Sequence, residues 1–367
     1  MASTHISFDT IPASIRVPGV YMEFNTKLAV NTLPGNRQQT LIVGQRLASG
    51  SVAANVPTLI ASDKDAAVYF GQGSILHRMC RAAIRANPYL ALSAIALDDA
   101  AGSATATATL TLAGTVTSPG LVEVQVGDTV VQLAAASGDT AAAAATALNT
   151  QLAAALDLPV SFAVAGAVVT ATARNKGTLG NALALSARTT AVGITVTPTA
   201  FTGGLVDPDI APALAQVFAA GHNILITPYA TQASLTTLKG HLDNVSDAVE
   251  KRGAIGIAAT TGTLPAATTL AGQINSGRLS MALLPGSTTP AYEIAAAYGS
   301  VVAFEEDPAR PLNSLALVGV SAPAVQYRLS RSEKENALYN GVTPLEVGPG
   351  SAVQIVRAIT TYTLSPQ

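Results

Sequence analysis

Between residues 206 and 320, four short apolar runs alternate with amphipathic segments, and this alternation limits the fold more than any other feature. His222-Asn223-Ile224-Leu225-Ile226-Thr227-Pro228 is one such run, closed by a proline. Residues 253–260, 279–284 and 312–320 repeat its character. Helical periodicity fills the gaps, over residues 208–220, 232–249, 265–275 and 290–298. Near-continuously apolar strands separated by helices are what a parallel sheet covered on both faces requires. The pattern predicts a layered α/β core.

The same alternation is present before residue 98. Gln39-Thr40-Leu41-Ile42-Val43-Gly44-Gln45 reads as a buried strand, and Asp63-Lys64-Asp65 opens a helix through Phe70. Acidic residues in that first turn suit the helix dipole. After Gly71-Gln72-Gly73, Ser74 is placed to cap a helix that runs to Ala86 and stops at Asn87-Pro88; residues 90–97 form the next buried strand. Upstream, Val20, Met22 and Phe24 alternate with Tyr21 and Glu23. That is a strand pattern, and Pro18-Gly19 before it bars a central position. Residues 1–37 are therefore expected to be an N-terminal arm whose strand pairs at a sheet edge or outside the subunit. At the other end, Ser332 and Glu335 match a capping box, Thr343-Pro344 predicts a turn, and residues 351–364 alternate as a strand.

Residues 101–204 differ from their flanks. They are rich in Ala, Thr, Val and Gly, with few charges. Two hairpins are predicted, around Gly127-Asp128 and Ala165-Gly166. Between them, Asp139 should cap a helix over residues 140–156 whose stripe is Leu148, Leu152 and Leu156. Residues 183–187 and 193–197 complete a small sheet. About a hundred residues with their own apolar set, entered at Gly102 and left at Gly203-Gly204, read as an inserted α+β domain. It interrupts a core made of residues 38–100 and 205–367.

Charged residues make up 11% of the chain and the net charge is −2. Ordinary globular chains carry roughly 25% charged residues. The balance offers no footprint for nucleic acid or an anionic membrane. A surface so poor in charge fits a protein covered by copies of itself or by partners. One cysteine, Cys80, excludes a disulfide framework and a thiolate zinc cluster, and it reads as a buried small hydrophobe. No secretory signal and no membrane anchor are visible.

The common catalytic and metal-binding motifs do not occur. His5, His77, His222 and His241 are scattered, with none of the spacings that hold zinc. There is no Gly-x-Ser-x-Gly elbow and no phosphate loop ending in Lys-Ser or Lys-Thr. Gly71-Gln72-Gly73-Ser74 could cradle an anion, but it follows a helix where a strand is needed. Glu305-Glu306-Asp307 reads as a solvated loop rather than a cation site. No enzyme, cofactor or metal is expected.

Several stretches are familiar together: Ile15-Arg16-Val17-Pro18-Gly19-Val20-Tyr21, Phe70-Gly71-Gln72-Gly73-Ser74, Asp307-Pro308-Ala309-Arg310-Pro311-Leu312, Glu335-Asn336-Ala337-Leu338-Tyr339-Asn340-Gly341-Val342-Thr343-Pro344-Leu345 and Ile355-Val356-Arg357-Ala358-Ile359-Thr360-Thr361-Tyr362. In order and spacing they resemble the tail sheath proteins of contractile-tailed bacteriophages, in the Mu-like branch. Ala173-Arg174-Asn175-Lys176-Gly177 and Thr202-Gly203-Gly204 resemble that branch's inserted domain. The resemblance implies a subtilisin-like architecture without proteolysis. It also implies a structural subunit that polymerises helically around an inner tail tube and contracts to drive it through the host envelope. Implied partners are further copies of the chain, the tube protein, and the baseplate and tail terminator proteins. Implied locations are the virion and, during assembly, the host cytoplasm. Extended arms join sheets of neighbouring subunits in that family, which gives Val20, Tyr21, Met22, Glu23 and Phe24 the role of an inter-subunit strand. Family members continue beyond the strand matching residues 355–362, so this chain is expected to lack their C-terminal domain. The alternative is an adhesin or carbohydrate-binding structural protein using residues 101–204. That segment has no Trp, and only Phe162 and Phe201 as aromatics, where sugar platforms need aromatic faces.

Overall fold

Strand and helix alternate from the first described element. The computed structural model describes residues 20, 38–305 and 311–363. The chain divides into Met1–Arg37 and Gln38–Gln367. Of the first unit only Val20 is described, exposed and in no regular element; Tyr21, Met22, Glu23 and Phe24 lie outside the described residues.

The second unit begins with β1 (Gln39–Gln45), β2 (Pro57–Ile60), α1 (Asp63–Phe70), α2 (Ile75–Ala86) and β3 (Ala91–Leu97). An inserted segment follows, with β4 (Thr107–Ser118), β5 (Gly120–Val126), β6 (Thr129–Ala135), α3 (Ala141–Ala154), β7 (Val160–Ala165), β8 (Val168–Ala173), β9 (Leu185–Thr189) and β10 (Val192–Pro198). The alternation then resumes with α4 (Ala211–Gln216), β11 (Ile224–Ile226), α5 (Gln232–Val245), β12 (Ile255–Thr260), α6 (Leu264–Ile274), β13 (Leu279–Leu283) and α7 (Ala291–Phe304). It closes with α8 (Arg331–Tyr339), β14 (Thr343–Val347) and β15 (Val353–Ile355).

One eight-stranded sheet has the order β15-β14-β13-β12-β11-β1-β3-β2. The strands from β14 to β3 are parallel, and an antiparallel strand closes each edge. Because side chains alternate along a strand, each strand feeds two cores. Ile42, Ile224, Ile226 and Ile257 meet Phe70, Leu76, Met79, Ile294 and Tyr298 from α1, α2 and α7. Leu41, Val43, Leu225 and Ala258 meet Leu214, Leu235, Leu238, Ala271 and Ala337 from α4, α5, α6 and α8. This is the layered α/β core that the sequence predicts.

Several local expectations need correction. Residues 312–320 do not supply a parallel strand, because Ser314 (φ 56°) and Gly319 (φ 86°) break the extended backbone. They run irregularly beside β15, through Ser314 N to the Ile355 carbonyl at 2.7 Å and Leu317 N to the Val353 carbonyl at 2.8 Å. The strand next to β13 is β14, where a turn was expected; Pro344 falls at its second position, so the missing N–H costs the ladder little. Of the described part of residues 351–364, only Val353–Ile355 is a strand. The capping box is Ser330 with Glu333, since Ser-x-x-Glu occurs twice in Ser330-Arg331-Ser332-Glu333-Lys334-Glu335. Thr140, not Asp139, caps α3, and Leu156 lies past its end, exposed.

The strands of the inserted segment pair only among themselves. They form two sheets, β10-β4-β8-β7 and β6-β5-β9, where a single small sheet was expected. The hairpin at Gly127-Asp128 forms as predicted. A separate apolar cluster holds the two sheets to α3 through Leu110, Val124, Leu148, Leu152 and Val169. Phe201 is buried and Phe162 half-buried, so the segment presents no exposed aromatic platform among the described residues.

Candidate functional site

In open α/β sheets, ligands bind outside the carboxyl ends of the strands where the strand order reverses. Here that point is β1, flanked by β3 on one side and β11 on the other. The crevice is filled by the chain's own inserted segment. Gln45, the last residue of β1, donates from Nε2 to Asp99 Oδ1 and to the Lys176 carbonyl, both at 2.8 Å. Asn175 is 5% exposed. Its Nδ2 donates to the Arg46 carbonyl at 2.8 Å, and its Oδ1 accepts the Ile75 N–H at 3.0 Å. Tyr229 lies buried nearby, and burial, with Asp207 and Asp99 beside it, pushes its hydroxyl up. It stays protonated and offers no nucleophile.

At the N-terminus of α2, after Gly71-Gln72-Gly73-Ser74, three backbone donors are committed within the chain. The Ser74 hydroxyl accepts the His77 N–H at 3.1 Å, Gly73 N–H donates to His77 Nδ1 at 3.1 Å, and Asn175 takes Ile75. With Nδ1 accepting, His77 Nε2 carries the hydrogen and donates to Asp63 Oδ1 at 3.1 Å. Ser74, His77 and Asp63 are thus near one another without forming a triad, because the serine meets the histidine's backbone and not its ring.

Beside this plug lies a buried ionic cluster. Arg78, 5% exposed, donates from Nε to Glu293 Oε1, from one terminal nitrogen to Asp128 Oδ1 at 3.2 Å, and from the other to the Asp157 carbonyl at 2.9 Å. Burial pushes the Glu293 carboxyl up, against the pull of Arg78. Arg81 pairs with Asp157 Oδ2 at 2.8 Å, and Gln72 donates to Asp157 Oδ1 at 2.9 Å. That Gln72 bond, with Arg81 close by, holds the Asp157 carboxyl below its ordinary range. Three fixed bodies meet here: α2, α7 and the inserted segment. Sequence reasoning did not single out Arg78, Asp157 or Asn175 for this role. A visible signal existed for Arg78, a cation near a helix N-terminus, where the dipole disfavours it unless an anion pairs with it.

Cys80 is buried, and burial pushes its thiol up, which makes it inert. His5, Glu306 and Asp307 lie outside the described residues. Among the described residues, no group of three or more His, Cys, Asp or Glu could hold a metal ion, and no helix is long and apolar enough to cross a membrane.

His77, His222 and His241 share one property: burial lowers the pKa of each. Their folded values lie below the unfolded one of about 6.5. Their contribution to stability is therefore complete above that value and is lost as pH falls below it. The melting temperature is expected to hold from pH 8 to about 6.5 and to drop on going to pH 5. A thermal melt series across that range checks it, and His222→Gln/His241→Gln should flatten the acid limb.

Comparison with known proteins follows the same line. Residues 203–361 match the phage tail sheath protein central domain. The chain is 34% identical over 364 residues to the Mu-like prophage FluMu tail sheath protein of Haemophilus influenzae, covering 97% of this chain and 74% of that protein. Among solved structures it is similar to a sheath tail protein of Listeria innocua, with 14% identity and a TM-score of 0.46 over 90% of this chain and 71% of that one. A sheath tail protein of Desulfitobacterium hafniense gives 14% identity and a TM-score of 0.47, over 95% of this chain and 76% of its own.

Proposed function

The chain belongs to the phage tail sheath protein family, and we propose that it is a subunit of a contractile Mu-like tail, with no catalytic activity of its own. Copies of it polymerise helically around an inner tail tube, and contraction of the polymer drives the tube through the host envelope. Its partners are other copies, the tube protein, and the baseplate and terminator proteins. It assembles in the host cytoplasm and ends in the virion. Residues 1–37 act as an arm whose Val20, Tyr21, Met22, Glu23 and Phe24 pair as a strand with a neighbouring subunit. Residues 101–204 form an inserted domain within a core made of residues 38–100 and 205–367.

The observation that carries this reading is identity to a Mu-like sheath protein over 97% of the chain, not over one module. The filled crevice at the carboxyl ends of β1, β3 and β11 supports it from the other side: the place where this architecture would bind a substrate holds Asn175 and Lys176. A contracting lattice needs bodies that move without deforming, and buried polar bonds across α2, α7 and the inserted segment provide one. Negative-stain microscopy of the purified chain, alone and with tube protein, is expected to show helical sheaths or stacked rings. A serine-reactive hydrolase probe should leave the protein unlabelled. Labelling, or a chain that stays monomeric with tube protein at every concentration, would overturn the proposal.

A further inference from the structure

Two rows of side chains run along one face of the sheet and turn polar at its carboxyl end. Leu41 and Val43 of β1 lead to Gln45, and Ile95 and Leu97 of β3 lead to Asp99, since residues two apart share a face. Gln45 lies beside Leu97 in the ladder. Tyr229, just past β11, packs in the same apolar cluster as Leu41, Val43 and Leu97. Asp207 arrives with the chain that leaves the inserted segment. It accepts the Thr178 N–H at 2.7 Å and the Thr178 hydroxyl, and it precedes Ile210, a further member of that cluster. Placing it there costs strain, because the β-branched Val206 is held at φ 61°.

The polar groups gathered here do not satisfy one another. Gln45 Nε2 has both hydrogens placed, on Asp99 Oδ1 and the Lys176 carbonyl, which fixes the amide's orientation. Its Oε1 is left buried without a partner. The Tyr229 hydroxyl is also buried without a partner, although the carboxylates of Asp207 and Asp99 lie close enough to raise its pKa. Both side chains are 0% exposed. Orphaned buried polar atoms are rare enough in folded proteins that each needs an account. The carboxylates add a second imbalance. Among the described residues neither Asp99 nor Asp207 has an ion-pair partner, whereas Asp98 next door pairs with Arg46 at 2.7 Å. One water would close the hydrogen bonds of Gln45 and Tyr229. It brings no positive charge, and two half-buried carboxylates still lack one.

We infer that Gln45, Asp99, Asp207 and Tyr229 form a binding site for one hard divalent cation of the calcium class, at the seam between the core and the inserted segment. Two carboxylates supply the charge. Gln45 Oε1 and the Tyr229 hydroxyl supply neutral oxygens, and water completes the shell. An all-oxygen donor set selects calcium over zinc, and calcium tolerates an irregular shell that magnesium does not. The bound ion joins the carboxyl ends of β1 and β3 to the chain that returns from the inserted segment at Asp207. The inference does not depend on the polymer reading.

Terbium, an oxygen-seeking stand-in for calcium whose emission a nearby tyrosine sensitises, tests the site in the full chain after chelator treatment. Excitation of the tyrosines should give emission that saturates at one ion per chain and is displaced by calcium but not by the same concentration of magnesium. Tyr229→Phe, which leaves both carboxylates in place, should remove most of that emission. Asp207→Asn should weaken terbium binding by about tenfold or more. Asp209→Asn, at an exposed neighbour, should leave it unchanged. Calcium should raise the melting temperature of the parent and not that of Asp207→Asn. Tyr229→Phe keeps the test decisive if Asp207→Asn does not fold, because it preserves the packing of the core. Emission unchanged by Tyr229→Phe would place the ion on other carboxylates. No emission and no calcium shift would mean that water alone fills the gap. Either result overturns the inference and leaves the polymer reading intact.

Discussion

Replacing Arg78 by methionine alone is expected to cost the folded body about 3–5 kcal/mol. Its guanidinium is buried and makes three separate contacts, to Glu293, Asp128 and the Asp157 carbonyl. Removing it leaves two acidic side chains facing one another at the edge of a core, with Glu293 only 6% exposed. Burial already pushes that carboxyl up, so Glu293 relieves part of the cost by taking a proton at neutral pH. Arg78→Met/Glu293→Leu should recover most of the loss, because a buried pair replaced as a unit by apolar side chains is often neutral. Asp128, 18% exposed, can then turn to water. Arg78→Lys should behave almost like Arg78→Met, since one ammonium cannot reach three partners set for a planar fork. Urea unfolding at pH 7.5 separates the outcomes. Equal losses in the single and double variants would show that the charges are not coupled as the geometry requires.

The sheet was legible because its strands announce themselves. After its exposed first residue, the strand Gln39–Gln45 is buried on both faces, and its apolar run has no other plausible use than the centre of a parallel sheet. Caps were legible for the same local reason: Ser74 accepts the His77 N–H where its spacing predicts. Legibility failed where one residue outweighed its neighbours. Pro344 made a strand look like a turn, while the apolar run at residues 312–320 hid two left-handed residues. The polar cluster was illegible for a different reason. Arg78 and Glu293 are 215 positions apart. Nothing in Ile75-Leu76-His77-Arg78-Met79-Cys80 says that all six residues are buried, so no local rule demands the partner. Asn175 was visible only as part of a resemblance, and its work, closing the α2 N-terminus, depends on a loop returning from a segment that looks separable.

That appearance of separability leads to the largest expected effect. Ala104 and Leu205 pair antiparallel, so the inserted segment leaves and rejoins the core at adjacent points, and joining Ala101 to Gly204 through a short Gly-Ser linker strains nothing. If the segment only decorated the subunit, the excised core should stay folded. The structure predicts a different cost. Excision removes the Asn175 bonds to Ile75 and Arg46, the Lys176 bond to Gln45, and the Asp128 and Asp157 contacts of Gln72, Arg78 and Arg81. At about 0.5–1.5 kcal/mol net for each bond, the loss is on the order of 5 kcal/mol. That should appear as a melting temperature lower by about 10–20 °C. Hydrogen exchange should locate the damage in the first turn of α2, around Ile75 and His77, while β12 and β13 stay protected. The Arg78→Met/Glu293→Leu background should soften the loss, since it no longer needs the missing carboxylate and carbonyl. An excised core that melts within a few degrees of the parent would mean that the segment is merely carried. Should it melt as expected, the segment is braced against α2 and α7, and a contracting sheath must move segment and core together as one brick.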